Sequence, residues 1–199
     1  MYFRVFHHQA SGYASYLLGD VAAKEAVLID PQISDIAVTG AILNDQKLRL
    51  TSLLFTHEHD QAKLSNVDIF QAYSAHFIND MVIVPAGHKD FLTFGDERIE
   101  IIKTPGHTLK CQSFLWRDRL FCGDLLSVDI CPHQPRPVSP ADLWDSVTQK
   151  ILLLPAETFL FTGHSTKAQF LSTILQQRLW HPWFSGATRD AFFARIGSP

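Results

Sequence analysis

Two histidines one residue apart, His57 and His59, stand directly after Leu53-Leu54-Phe55-Thr56, a stretch that reads as a buried strand stopping abruptly. In an extended or turning backbone, residues i and i+2 project to the same side, so both imidazoles can face one point in space. Neutral imidazole suits a borderline-soft cation such as zinc or iron. Spacing alone is a weak signal, and recurrence strengthens it. Glu100-Ile101-Ile102-Lys103 runs into Thr104-Pro105-Gly106-His107, Arg119-Leu120-Phe121-Cys122 into Gly123-Asp124, and Thr158-Phe159-Leu160-Phe161 into Thr162-Gly163-His164. In each, a glycine before the candidate ligand lets the backbone reverse and approach closely. Such ends on neighbouring strands would converge at one rim of a sheet, where loops on a rigid scaffold commonly hold working residues. The candidate metal ligands are therefore His57, His59, His107, Asp124 and His164.

The elements that must position these residues follow from the pattern. Residues 2–6 alternate weakly, and residues 14–20 and 25–31 are two strand signals joined by a polar turn, a hairpin. Within residues 33–46, Ile36, Ala37, Ala41, Ile42 and Leu43 have helical spacing and predict a crossover helix into the strand at Leu53, a right-handed βαβ unit. Residues 63–73 read as a short helix, 75–78 and 81–84 as short strands, 87–96 as turns, and 98–103 as the strand leading to His107. Residues 112–116 and 119–122 flank Arg117-Asp118 as a tight hairpin. Residues 131–140 are dense in proline, which neither donates to a ladder nor tolerates a helix interior, and so predict a loop. Ser139-Pro140 is an N-cap followed by proline at the first helical position, for a helix through Leu143, Val147, Ile151 and Leu152. Residues 166–178 read as a helix broken at Trp180-His181-Pro182, and residues 187–196 as a last short one. Strand, hairpin and helix occur once in each half, which predicts two sheets with helices outside.

At 199 residues the chain is in the range of one domain, and a single domain over residues 1–199 is expected. A net charge of −3, without a basic stripe or charged tail, argues against nucleic acid or a membrane surface as partner and leaves a small molecule. The three cysteines, Cys111, Cys122 and Cys131, include no CxxC pair, so a reducing, cytoplasmic setting fits better than a disulfide scaffold. Cys111 and Cys122 are expected to pack as small apolar groups. No basic segment followed by a long apolar one opens the chain, and no run reaches the length of a spanning helix, so neither export nor membrane insertion is expected. A homodimer stays open as a common soluble assembly, with no interface indicated.

The four ligand-bearing ends resemble the metallo-β-lactamase fold, whose signature is His-x-His-x-Asp-His after a strand, a later Gly-His, a Gly-Asp and a last Gly-His or Ala-His. Within that superfamily three features look most like the persulfide dioxygenases, with the hydroxyacylglutathione hydrolases (glyoxalase II) as near relatives. They are Tyr16-Leu17-Leu18-Gly19-Asp20 followed by Glu25-Ala26-Val27-Leu28-Ile29-Asp30-Pro31, Thr104-Pro105-Gly106-His107-Thr108 with Cys111, and Arg178 with Pro182. The resemblance implies an α/β fold, a four-layer αββα sandwich, with the metal at the edge of the two sheets. It places an iron site on His57, His107 and Asp124, and makes His59 and His164 catalytic groups that hydrogen-bond bound water or substrate and orient ligands. Where the signature has its Asp and last His, this chain has Gln61 and Ala62, with Asp60 one place off. A second metal thereby loses its ligands, so one metal ion per chain is expected, iron(II) favoured and zinc(II) the alternative. Asp60 or Gln61 would be the group to meet a metal-bound water. The arginine-bearing run of the dioxygenases is replaced by Ser127-Val128-Asp129-Ile130-Cys131-Pro132-His133, with Arg136 as the nearest substitute.

Three functions follow. The first is a mononuclear non-haem iron oxygenase acting on a small thiol-derived persulfide. The second is a zinc hydrolase of a thioester or ester, with His57, His59 and His107 lowering the pKa of a bound water. Against it stand the missing Asp, which orients water in those relatives, and the short stretch after His164 where they carry a further helical region. The third is a catalytically degenerate binding protein, motivated by Gln61 and Ala62.

Overall fold

The computed structural model describes residues 1–59, 64–77, 82–84, 90–126, 136–165 and 169–197. Its layering follows from period-two alternation within nearly continuous apolar sequence. In β2 (Ala14–Asp20), Ala14, Tyr16 and Leu18 face one core and Leu17 another; in β3 (Glu25–Ile29), Val27 and Ile29 join the first and Ala26 and Leu28 the second. A strand covered on both faces needs apolar residues at consecutive positions. With β1 (Tyr2–His7), β4 (Arg49–Leu54) and β5 (Val82–Val84) these strands form a five-stranded sheet in the order β1-β2-β3-β4-β5, antiparallel through β3 and parallel from β3 to β5.

The second sheet has six strands: β6 (Phe91–Phe94), β7 (Glu97–Lys103), β8 (Gln112–Trp116), β9 (Arg119–Gly123), β10 (Phe159–Thr162) and β11 (Leu171–Thr173), in the order β11-β10-β9-β8-β7-β6. Its neighbours are antiparallel except β9 and β10, which are parallel. Between the sheets Tyr16, Phe121 and Phe161 pack ring on ring with centroids 4.9–5.4 Å apart, beside Phe114 and Trp116. Truncating one such aromatic to alanine costs about 3–5 kcal/mol.

Outside the first sheet lie α1 (Ile36–Gln46) and α2 (Asn66–His76), which bury Ile36, Leu43, Ile69 and Tyr73. Outside the second lie α3 (Pro140–Ser146), α4 (Ile174–Trp180) and α5 (Arg189–Gly197), contributing Leu143, Ile174 and Phe192 to a third core. The expected α/β four-layer αββα sandwich is the observed one, and the β3–α1–β4 unit is the expected crossover. Among the described residues no helix is long and apolar enough to cross a membrane.

Local expectations fail where a cap or a strand pairing overrides periodicity. Helix α2 starts at Asn66 because Ser65 and Asp68 form a capping box, and it continues through Ala75 and His76, which were expected in a strand. Ile69 and Tyr73, four apart, hold that register against the sheet. Within the expected turns of residues 87–96, Phe91 to Phe94 form β6, folded onto β7 about Gly95, whose φ is +54°. The helix expected from residue 166 begins at Ile174 instead, where Thr173 and Gln176 make a second capping box, and Leu171 to Thr173 pair with β10. Helix α3 is capped by Ser139 with Pro140 in its first turn, as expected, and passes into a π-helical turn over Val147–Ile151.

Candidate metal centre

Strands β7, β9 and β10 run in one direction, so the loops after them emerge at the same rim of the second sheet. The loop after β4 meets them there. Gln112 donates its backbone N–H to Thr56 O at 2.8 Å and its side-chain amide to Phe55 O at 2.9 Å, stitching the two sheets together beside His57. On the far side, Ala14 N donates to Gly163 O and Ser165 N to Gly12 O, so the β1–β2 hairpin is tied to the loop carrying His164.

Glycines make the close approach feasible. Gly123 has φ +56°, and a Cβ there would overlap Thr56 Oγ1 and lie 3.0 Å from His57 Nδ1. Gly106 has φ +144° and sits against the backbone of Leu143, where any side chain would collide with α3. Both positions demand glycine on conformation and on space.

His57, His59, His107 and Asp124 each offer one ligand atom, and those four atoms lie within 4.8 Å of one another. His57 Nε2 is 3.1 Å from His59 Nε2 and 3.5 Å from Asp124 Oδ2, and His107 Nε2 is 3.8 Å from the same oxygen. The three imidazoles meet edge to face at 79–86°, so their nitrogens point inward without the rings stacking. His164 stands apart from this group: its Nδ1 is 2.6 Å from Asp124 Oδ1, and its ring packs on Tyr13 with centroids 4.1 Å apart.

Burial, the largest cause for each, pushes His57 down to about 3 and His107 down to about 4, so both are neutral imidazoles near neutral pH. For Asp124, burial works upward, but facing His57, the His164 hydrogen bond and His107 outweigh it and hold the carboxyl well below the usual carboxylate range. The result is a buried anion facing the neutral imidazoles of His57 and His107. Its Oδ2 makes no hydrogen bond to any described residue. A buried carboxylate oxygen without a donor, aimed at inward-facing imidazole nitrogens, is an environment a divalent cation fits.

Behind His57, Asp30 accepts from Thr56 N at 2.7 Å and from Thr56 Oγ1 at 2.8 Å, and Thr56 Oγ1 is 2.8 Å from His57 Nδ1. Burial pushes Asp30 up to about 7 against these two bonds. Cys111 and Cys122 are buried free thiols, as expected of packing groups, and burial pushes them up to about 11 and 12. A cavity of about 480 Å³ adjoins the cluster, lined by His57, His59 and His164 together with Ile33, Phe55, Leu64, Ile69, Tyr13 and Glu58.

Asp60, Gln61 and Ala62 lie outside the described residues, as do residues 127–135; Arg136, which follows them, is exposed. Asp30, Thr56 and Tyr13 carry no role in the sequence reading. The available signals were a polar threonine closing an apolar run and an Asp-Pro step ending a strand.

No family model matches the sequence. The chain is 27% identical over 178 residues to the mitochondrial persulfide dioxygenase ETHE1 of Mus musculus, covering 84% of this chain and 70% of that protein. It is 31% identical over 140 residues to a hydroxyacylglutathione hydrolase of Rhizobium johnstonii, covering 63% of this chain and 54% of that one. Among solved structures, ETHE1 from Myxococcus xanthus matches with a TM-score of 0.86 at 27% identity, over 100% of this chain and 92% of that chain. A metallo-beta-lactamase from Staphylococcus aureus matches with a TM-score of 0.81 at 25% identity, over 100% of this chain and 66% of that chain. With its two sheets, its outer helices and its ligand-bearing strand ends gathered at one rim, the chain belongs to the metallo-β-lactamase fold superfamily.

Proposed function

We propose that the chain is a mononuclear metalloenzyme in which His57, His107 and Asp124 hold one iron(II), and that it oxidises the persulfide of a small thiol with O₂. The observation that carries this reading is the division of labour on Asp124: Oδ2 faces the histidine nitrogens while Oδ1 is occupied by His164. Two imidazoles and one carboxylate oxygen make the facial set used by non-haem iron oxygenases. Iron(II) held there would supply open coordination positions and the electron by which O₂ becomes reactive toward sulfur. The protein's own contribution is positioning. His164 fixes the plane of the Asp124 carboxylate, His59 lines the cavity where it meets substrate or water, and Ile33, Phe55, Leu64 and Ile69 give that lining its apolar surface. Similarity to the persulfide dioxygenases supports the choice of chemistry. We extend the reading to a single-domain, cytoplasmic protein whose partner is a small thiol-derived molecule.

One observation favours a second reading. His59 Nε2 lies closer to His57 Nε2 than Asp124 does, so His57, His59 and His107 also form the three-histidine set of a zinc hydrolase. Elemental analysis of the purified protein, followed by oxygen uptake with glutathione persulfide and hydrolysis of a glutathione thioester, separates the two. Iron near one per chain with oxygen uptake is expected. Iron-loaded protein that consumes no oxygen, beside zinc-loaded protein that cleaves the thioester, overturns the oxygenase.

A further inference from the structure

We propose that Asp30, acting through Thr56, fixes the tautomer of His57, which makes Asp30 a positioning residue of the metal centre although it touches none of the four ligand atoms. The inference rests on reading the cluster as a metal site and deepens that reading.

The geometry leaves little freedom. A threonine hydroxyl carries one hydrogen. Asp30 Oδ1 takes the backbone N–H of Thr56, and Oδ2, 2.8 Å from Thr56 Oγ1, takes the hydroxyl hydrogen. Toward His57 Nδ1, also 2.8 Å away, the same oxygen can then only accept. Nδ1 must therefore carry the hydrogen, and the lone pair is placed on Nε2, the nitrogen 3.5 Å from Asp124 Oδ2 and 3.1 Å from His59 Nε2. That is the tautomer a metal ligand requires at Nε2.

The fold provides the alignment in three ways. Asp30 follows β3 in a left-handed backbone conformation, φ +49°, and its N–H donates to Leu54 O, which brings its carboxylate across to the segment after β4. The left-handed region is one that Asp enters more readily than most residues. On the other side, Gly123 crowds Thr56 Oγ1 so closely that no side chain fits between them, which holds the hydroxyl in place.

The competing arrangement is also defined. If the relay were absent, His57 would place its hydrogen on Nε2 and donate toward Asp124 Oδ2, and the site would have to reverse this before taking a cation. Asp30→Asn creates that reversal. Its amide oxygen can still accept from Thr56 N, but its amide nitrogen donates to Thr56 Oγ1, which frees the hydroxyl hydrogen for His57 Nδ1.

The test is ¹⁵N NMR of the histidine side chains in metal-free protein at pH 8, combined with zinc and iron(II) affinities from chelator competition. The unsubstituted protein should show His57 with its hydrogen on Nδ1, Asp30→Asn should move it to Nε2 and lower metal affinity about 10–100-fold, and Thr56→Ser alone, which keeps the hydroxyl, should retain the native pattern. Hydrogen on Nε2 in the unsubstituted protein overturns the proposal without any variant. So does Asp30→Asn that leaves tautomer and affinity unchanged. The native tautomer in a protein that binds neither metal upholds the relay and rejects the metal centre.

Discussion

The single hydrogen bond between His164 Nδ1 and Asp124 Oδ1, at 2.6 Å, falls on the carboxylate oxygen opposite the one that faces His57 and His107. A bond in that place orients the carboxylate instead of competing for the same cation. Gly163 makes it reachable: a Cβ there would come within 2.8 Å of Oδ1.

A residue that orients a ligand and one that is a ligand respond differently to deletion. His164→Ala should still bind one metal per chain at saturation, with affinity lowered about 10–100-fold as its neighbour's carboxylate loses its anchor. His107→Ala should bind less than one at any practical concentration. Titration with a metal-responsive chelator reads both, and equal stoichiometric loss in the two variants would sink the distinction.

Gly123→Ala tests how tightly the site is folded. Alanine at φ +56° costs about 1–2 kcal/mol in backbone conformation alone. Its methyl group would also lie 2.7 Å from Thr56 Cβ and 3.0 Å from His57 Nδ1, so the loop must move. A melting temperature at least several degrees lower and weakened metal binding are expected, from calorimetry and competition titration. An unchanged melt would mean the loop relaxes freely.

Metal should stabilise the fold through Asp124. A cation present at about one hundred times its dissociation constant adds about 2.7 kcal/mol. For a chain of this size that corresponds to a rise of roughly 5–10 °C in Tm. Asp124→Asn keeps an oxygen for His164 but loses the charge, so its Tm should hardly respond to iron(II) or zinc. A variant that shifts as much as the unsubstituted protein would remove Asp124 from the ligand set.

The strand ends were legible because ligand and glycine sit together in sequence, as in Gly106-His107, Gly123-Asp124 and Gly163-His164. Local composition carries that information. Two sheets with helices outside were legible too, because strand, hairpin and helix recur in each half, and the consecutive apolar positions of β2 and β3 fit strands covered on both faces. Asp30 was not, because its bonds to Thr56 span 26 residues and exist only once β3 and β4 pair with Ile29 beside Leu54. Nor was the start of α4: the helical spacing of Phe170, Ile174 and Leu175 runs across it, and the Thr173 cap decides where the helix begins. Sequence periodicity reports which face is apolar, while caps and pairings decide where an element stops.

Acid sensitivity should trace in part to a histidine outside the candidate metal centre. His181 ends α4, packs on Phe184 and accepts a hydrogen bond from Trp183 N–H on Nδ1 at 3.2 Å, so the fold requires it neutral. Burial pushes it down to about 4. The unfolded chain takes up a proton near the ordinary value of about 6.5, before the folded one does. Stability from this group is thus complete above that pH and is lost as pH falls toward 4, at about 1.4 kcal/mol per unit. His57 and His107 act in the same direction and Asp30 in the opposite one, since its folded carboxyl holds a proton up to about 7. Comparing the protein with His181→Asn cancels those shared contributions, because asparagine can offer an oxygen to Trp183 N–H without ionising. The variant should lose less stability between pH 6.5 and 5, by about 1.5 kcal/mol in urea titrations. Parallel stability curves for the two proteins would show that His181 does not ionise on unfolding in this range.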